Sequence, residues 1–158
     1  MTRTTPTAAD IMIRRVVTVN PHQDLFEVIG LLIKHQISGA PVVDKAGRYL
    51  GIFSERTSIG LLVDAVAHGT PTNSIESWID ADAPTVTPDT DLLTIAQILK
   101  ESNYRRLPVL QHGKVVGLIS RRDVLKAAHQ LMELDRPARE STFLYLSQIR
   151  DRSSAPVA

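Results

Sequence analysis

The chain of 158 residues carries 18 Lys and Arg against 17 Asp and Glu and is 43% hydrophobic. Those proportions exclude a disordered chain and fit one small domain or two very small ones, while a formal charge of +1 lacks the basic excess with which proteins grip long nucleic acid or anionic membrane. With no cysteine, disulfides, thiolate zinc sites, iron–sulfur clusters and cysteine nucleophiles are excluded as well.

The N-terminal stretch has no continuous apolar core behind its basic residues. The richest apolar run, residues 28–33, falls far short of the roughly 18 residues that span a bilayer, so a cytosolic protein without a membrane partner is expected. A weak helical turn near residues 8–12 precedes an extended run over 16–19, which Pro21 stops because proline lacks an N–H and has a fixed φ. Asp24 stands where an N-cap belongs, and Leu25, Val28, Ile29, Leu32 and Ile33 recur at helical spacing. Two apolar runs follow, 40–43 and 50–53, joined by a loop whose Gly47 can supply a positive φ, and together they predict a hairpin. A helix over 57–68 then runs into the Gly/Pro/Asn/Ser-rich stretch 69–74, which reads as a linker.

The same order then recurs. Residues 75–79 correspond to 8–12, an extended run over 85–87 ends at Pro88, and Asp91 precedes a helix carrying Leu92, Ile95, Ala96 and Leu99. Strands over 107–110 and 115–119 flank the turn at Gly113, and a helix over 123–134 carries Val124, Leu125, Ala128, Leu131 and Met132 on one stripe. A shift of 67 positions lays Thr18-Val19-Asn20-Pro21 on Thr85-Val86-Thr87-Pro88 and Pro41-Val42 on Pro108-Val109. One residue is lost in the hairpin turn, and a shift of 66 then lays Gly51 on Gly117 and Ser54 on Ser120. Such a register marks an internal repeat.

Each unit reads β-α-β-β-α, giving a mixed α/β fold. A unit of about 60 residues is marginal alone, so the two are expected to pack as one globule with a pseudo-two-fold axis. The boundaries are a tail over 1–7, repeats over 8–68 and 75–135 with the linker between them, and a C-terminal helix and tail over 136–158. That last helix is expected over 140–150, with Phe143, Leu144, Leu146 and Ile149 on its apolar face. Trp78 reads as an anchor for the short helix that follows the linker, and Tyr104 as a core residue ending a helix, with the alternative that it walls a ligand.

The residues Asp10-Ile11-Met12, Val17-Thr18-Val19-Asn20-Pro21, Ser38-Gly39-Ala40-Pro41-Val42-Val43-Asp44 and Gly51-Ile52-Phe53-Ser54, with their second-copy counterparts Arg105-Arg106-Leu107-Pro108-Val109 and Gly117-Leu118-Ile119-Ser120-Arg121-Arg122-Asp123, resemble a tandem pair of CBS domains, the cystathionine β-synthase type. The resemblance implies two symmetry-related clefts that take AMP, ADP, ATP or S-adenosylmethionine as a regulatory ligand, with no cofactor required. The family pattern Gly-apolar-x-Thr/Ser-x-x-Asp places a hydroxyl and a carboxylate at the ribose and phosphate. The second copy fits it with Gly117, Ser120 and Asp123, and Asp at that place accepts charge-assisted hydrogen bonds from both ribose hydroxyls.

The resemblance thus implies one cleft built on Ser120 and Asp123, with Val16, Val17, Ile37, Ser38, Gly39 and Ala40 along the base. Arg105 and Arg106 stand where some members carry a phosphate-binding base, and Arg121 and Arg122 add to that charge. A second cleft, on Ser54, Thr57 and Leu107, departs from the pattern because Thr57 stands in place of the ribose Asp. Losing one charge-assisted hydrogen bond removes roughly 1.5–3 kcal/mol, so this cleft is expected to be weak or empty.

The function expected is a non-catalytic adenine-nucleotide sensor that signals to a partner protein. A homodimer through the repeat helices and the C-terminal helix is expected with it. The competing reading is a ligand-free dimerisation or docking module in which Phe143, Leu144, Leu146 and Ile149 matter more than Asp123. A nucleic-acid binder using the Arg pairs conflicts with the near-zero net charge. The sequence offers no nucleophile–base constellation, no G-x-S-x-G and no phosphate loop, and its five histidines, at 22, 35, 68, 112 and 129, lack metal-ligand spacing, so neither an enzyme nor a metal site is expected.

Overall fold

The fold is that of a computed structural model describing residues 4–69 and 74–135. Its elements, in chain order, are α1 (Ala8–Ile11), α2 (Leu25–His35), β1 (Gly39–Val43), β2 (Tyr49–Ser54), α3 (Glu55–His68), a 3₁₀ turn (Ile75–Trp78), α4 (Leu92–Glu101), β3 (Arg106–Gln111), β4 (Lys114–Ser120) and a last helix, α5, over 121–135. The chain forms two compact units, Met1–Val124 and Leu125–Ala158, and all the strands described lie in the first. The second is described as far as residue 135, where helix continues and His129 Nε2 lies 3.8 Å from Glu133 Oε1 one turn on. The helix expected over 140–150, like residues 70–73 of the linker, lies outside the described residues. No described helix is long and apolar enough to cross a membrane.

The repeat governs the geometry. β1 pairs antiparallel with β2 from Gly39 opposite Ser54, and β3 with β4 from Arg106 opposite Ser120. The register slips at equivalent points, between Val42 and Val43 and between Val109 and Leu110. Gly47 and Gly113 turn the hairpins at φ 79° and 73°, where a side chain would be strained. Asp24 and Asp91 cap α2 and α4 by accepting from the N–H groups of Phe26 and of Leu93 and Thr94.

The extended runs 16–19 and 85–87 form less strand than their composition implies. Each makes a single parallel bridge, Val19 to Val42 and Val86 to Val109, before the chain turns away at Pro21 or Pro88. The other edge of each hairpin is closed from the opposite repeat. Ile13, near the start of the first repeat, pairs with Leu118 of β4, and Asp80, near the start of the second, pairs with Ile52 of β2. Pro6 and Thr7, assigned to a tail, are tied in as well, since the Leu92 N–H donates to Pro6 O at 2.8 Å and Thr7 bridges Asp91.

The buried residues repeat with the sequence. Val19, Leu25, Val28, Leu32, Val42 and Phe53 in one copy answer to Val86, Leu92, Ile95, Leu99, Val109 and Ile119 in the other, each at most 5% exposed. Trp78 differs from expectation. It is 45% exposed, and Ile75, fully buried, anchors the 3₁₀ turn instead.

Candidate functional site

The Gly39–Ser54 pairing brings the start of β1 beside the end of β2, and the Glu55 N–H donates to Ser38 O at 2.9 Å. The junction therefore gathers Ser38, Gly39 and Ala40 with Ser54, Glu55, Arg56 and Thr57. These residues form one wall of a cavity of about 860 Å³, and Asp80 with the α4–β3 connection, Glu101 to Arg106, supplies the other. Its volume lies in the range of about 300–1,000 Å³ usual for small-molecule sites.

Arg56, Arg105 and Arg106 line the cavity, and none of the ion pairs among the described residues involves them. Their charge is therefore available to an anion, and a guanidinium fork matches phosphate oxygens. The hydroxyls of Ser54 and Thr57 lie 3.4 Å apart, and Ser58 Oγ donates to Ser54 O at 3.0 Å, closing the first turn of α3. Ser102 Oγ, buried and without a hydrogen-bond partner among the described residues, belongs to a residue that lines the same cavity.

Tyr104 also lines the cavity, where its hydroxyl donates to Asp80 Oδ2. That hydrogen bond, with burial and the Asp80 charge, pushes the phenol up to about 12. Tyr49 is raised further, by burial first and then by the charges of Asp80 and Tyr104. Asp80 thus anchors a small phenol–carboxylate group. Oδ1 accepts from the Asp82 N–H at 3.1 Å, and its backbone exchanges two hydrogen bonds with Ile52, at 2.9 and 3.0 Å.

The structure distributes the expected site residues unevenly. Ser38, Gly39, Ala40, Arg105 and Arg106 line the cavity on the Ser54 and Thr57 side, rather than a cleft with Asp123. Val16, Val17, Ile37, Leu107, Ser120, Arg121, Arg122 and Asp123 do not line it. The strand register explains this, because β1 lies beside its own β2 and carries residues 38–40 to Ser54.

At the equivalent junction Asp123 Oδ2 accepts from the Ser120 N–H at 2.8 Å and the Ser120 hydroxyl at 2.6 Å, while the Asp123 N–H returns a bond to Ser120 Oγ at 3.3 Å. Such a reciprocal cap starts α5 at residue 121, ahead of the expected 123. Arg121, expected beside the phosphate, is turned elsewhere. Its Nη2 donates to the carbonyls of Leu99 and Ser102 at 3.2 and 3.1 Å, where the end of α4 leaves acceptors unpaired.

Sequence reasoning missed Asp80 and favoured core over a ligand wall for Tyr104, which lines the cavity. The one available signal is that Asp80 falls on Ile13 at the 67-residue shift, a charged residue where the first copy has an apolar one.

A family model for the CBS domain matches residues 8–57 and 75–130, most of the chain and both copies of the repeat. The chain belongs to the CBS domain family. A Methanocaldococcus jannaschii protein of uncharacterized function is 29% identical over 74% of this chain, which spans only 41% of that relative's length. An uncharacterized 17.7 kDa protein of Acidianus ambivalens is 27% identical over 84% of this chain and 80% of its own. Among solved structures, that of CBSX2, an Arabidopsis thaliana protein, in complex with AMP is 26% identical with a TM-score of 0.71, covering 80% of this chain and 98% of that one. The two hairpins and their flanking helices are thus a CBS pair, and the cavity lies at the β2–α3 junction of its first CBS repeat.

Proposed function

We propose that this chain is a non-catalytic regulatory module, with CBS repeats over 8–68 and 75–135. In this reading it binds an adenosine-containing ligand, AMP, ADP, ATP or S-adenosylmethionine, and signals to a partner protein in the cytosol. The observation that carries the reading is the cavity of about 860 Å³ in which both repeats contribute walls and three arginines stand without ion-pair partners among the described residues. The AMP complex of the similar CBSX2 supports it. Arg105 and Arg106 take the phosphate, Ser54 and Thr57 offer hydroxyls, and Ser38, Gly39 and Ala40 flank the base. Ser120 and Asp123 belong to the symmetry-related cleft, whose carboxylate already closes a helix cap.

Calorimetric and thermal-shift titration with AMP, ADP, ATP, S-adenosylmethionine and a GMP control tests this, because a ligand of the native state raises stability by RT ln(1 + [L]/Kd). Saturable binding of an adenosine compound is expected, weakened about ten- to a hundredfold by Arg105→Ala with Arg106→Ala. It should survive Asp123→Ala. No shift with any of them at millimolar concentration returns the chain to a ligand-free interaction module.

A second copy of the chain is the proposed partner of α3, whose Ile59, Leu62, Val63 and Val66 form an exposed apolar stripe at helical spacing.

A further inference from the structure

A ribose presents two vicinal hydroxyls, and the strongest single group for holding both is a carboxylate. On the nucleotide reading the cavity lacks one where the family pattern puts it, since Thr57 replaces the aspartate. The cavity nevertheless holds a carboxylate whose position is fixed from three sides. Asp80 exchanges backbone hydrogen bonds with Ile52, and residues opposed in an antiparallel pair present their side chains on one face. Ser54, two positions on from Ile52, shares that face, and Ile52, Ser54 and Asp80 all line the cavity.

The carboxylate itself is oriented by the Tyr104 hydroxyl on Oδ2 and the Asp82 N–H on Oδ1. A carboxylate accepts about four hydrogen bonds, so acceptor capacity remains for a ligand diol. The raised Tyr104 phenol is consistent with a group that stays protonated and keeps donating to Asp80 at neutral pH. Arg56, Arg105 and Arg106 line the same cavity, and their charge suits a phosphate.

We infer that Asp80, positioned by Tyr104, supplies the diol-binding carboxylate of this cavity in place of the aspartate absent at Thr57, so that the site takes a ribonucleoside phosphate and discriminates against its 2′-deoxy counterpart. The inference rests on the nucleotide-binding reading above. It makes Asp80 the specificity-determining residue, Tyr104 a positioning residue, and assigns the ribose to a side chain from the start of the second repeat rather than from α3.

The experiment is a calorimetric comparison of AMP with 2′-deoxy-AMP on the full chain and on Asp80→Asn and Tyr104→Phe variants, each first shown by thermal unfolding to be folded. The full chain should prefer AMP by about ten- to a hundredfold, the worth of one charge-assisted hydrogen bond. Asp80→Asn should bring the ratio toward one, and Tyr104→Phe should lower it in the same direction. A merely structural Asp80–Tyr104 contact would weaken both ligands alike and leave the ratio intact, which overturns the inference. So does a ratio of one in the unaltered chain, with nucleotide binding itself still standing. If neither AMP nor 2′-deoxy-AMP binds, the nucleotide reading and the inference fall together. If Asp80→Asn does not fold, the Tyr104→Phe ratio decides.

Discussion

A methyl group on Gly51 has nowhere to go. The residue sits at φ 149°, and a Cβ there would stand 2.5 Å from Asp80 O and 2.6 Å from Ile79 Cγ2. The obstructing atom is backbone, and it is the same carbonyl that accepts from the Ile52 N–H. Gly51→Ala should therefore cost about 1–3 kcal/mol in urea unfolding and weaken nucleotide binding by displacing Asp80. At the equivalent Gly117 the nearest atoms are Met12 Sδ, Cγ and Cβ, and because that Cβ cannot move without its backbone, Gly117→Ala should be destabilising as well.

Tyr104 gives a pH signature at the same scale. Its phenol is raised from 10.0 to about 12, so between those values the unfolded chain has lost a proton that the folded chain keeps. The stabilisation is complete below pH 10 and is lost as pH rises through 12. Tyr104→Phe should flatten the fall in stability across that window, measured by urea unfolding at successive pH values, while Tyr49 leaves a residual slope of the same sign. The pair behind this effect was hidden in the sequence because Asp80 and Tyr104 are 24 residues apart, and nothing local marks the single bridge that ties Asp80 to Ile52 of the first repeat.

At the scale of elements, what could be read was what the chain encodes locally. The helical spacing of Val28 and Leu32, and of Ile95 and Leu99, located α2 and α4, and the turn glycines located both hairpins. What could not be read were the single-residue bridges of Ile13 and Asp80, which have no pattern of their own and depend on a partner strand in the other copy. The same crossing explains why the cavity stands by Thr57, since residues 79–80 are delivered to β2 by a connection whose path no periodicity records.

The crossing also has an energetic consequence. Each hairpin is completed by the other repeat, so neither should unfold alone. Phe53 and Ile119 are equivalent and fully buried. Phe53→Ala should cost about 3–5 kcal/mol and Ile119→Ala about 2–5 kcal/mol. Both should lower one common transition, seen by circular dichroism and by Trp78 fluorescence alike. Two separated transitions would show that the repeats are independent.

At the scale of the whole molecule, the helix that borders the cavity also carries the apolar stripe. Ile59 lines the cavity and is 63% exposed, and Leu62, Val63 and Val66 continue from it along α3, while Leu61 and Ser58 face inward. A ligand that fixes the start of α3 thereby acts on the surface proposed for self-association, and coupling between the two must be reciprocal. Sedimentation velocity should find the chain dimeric, and Val63→Glu with Val66→Glu should make it monomeric. AMP should tighten the dimer, and the monomeric variant should bind AMP more weakly, its affinity falling to that of the dissociated wild-type chain. A dimerisation constant indifferent to AMP would uncouple the cavity from the stripe, because a ligand with equal affinity for both states shifts neither. The regulatory signal would then have to leave the cavity through the Asp80 segment and β2 rather than through α3.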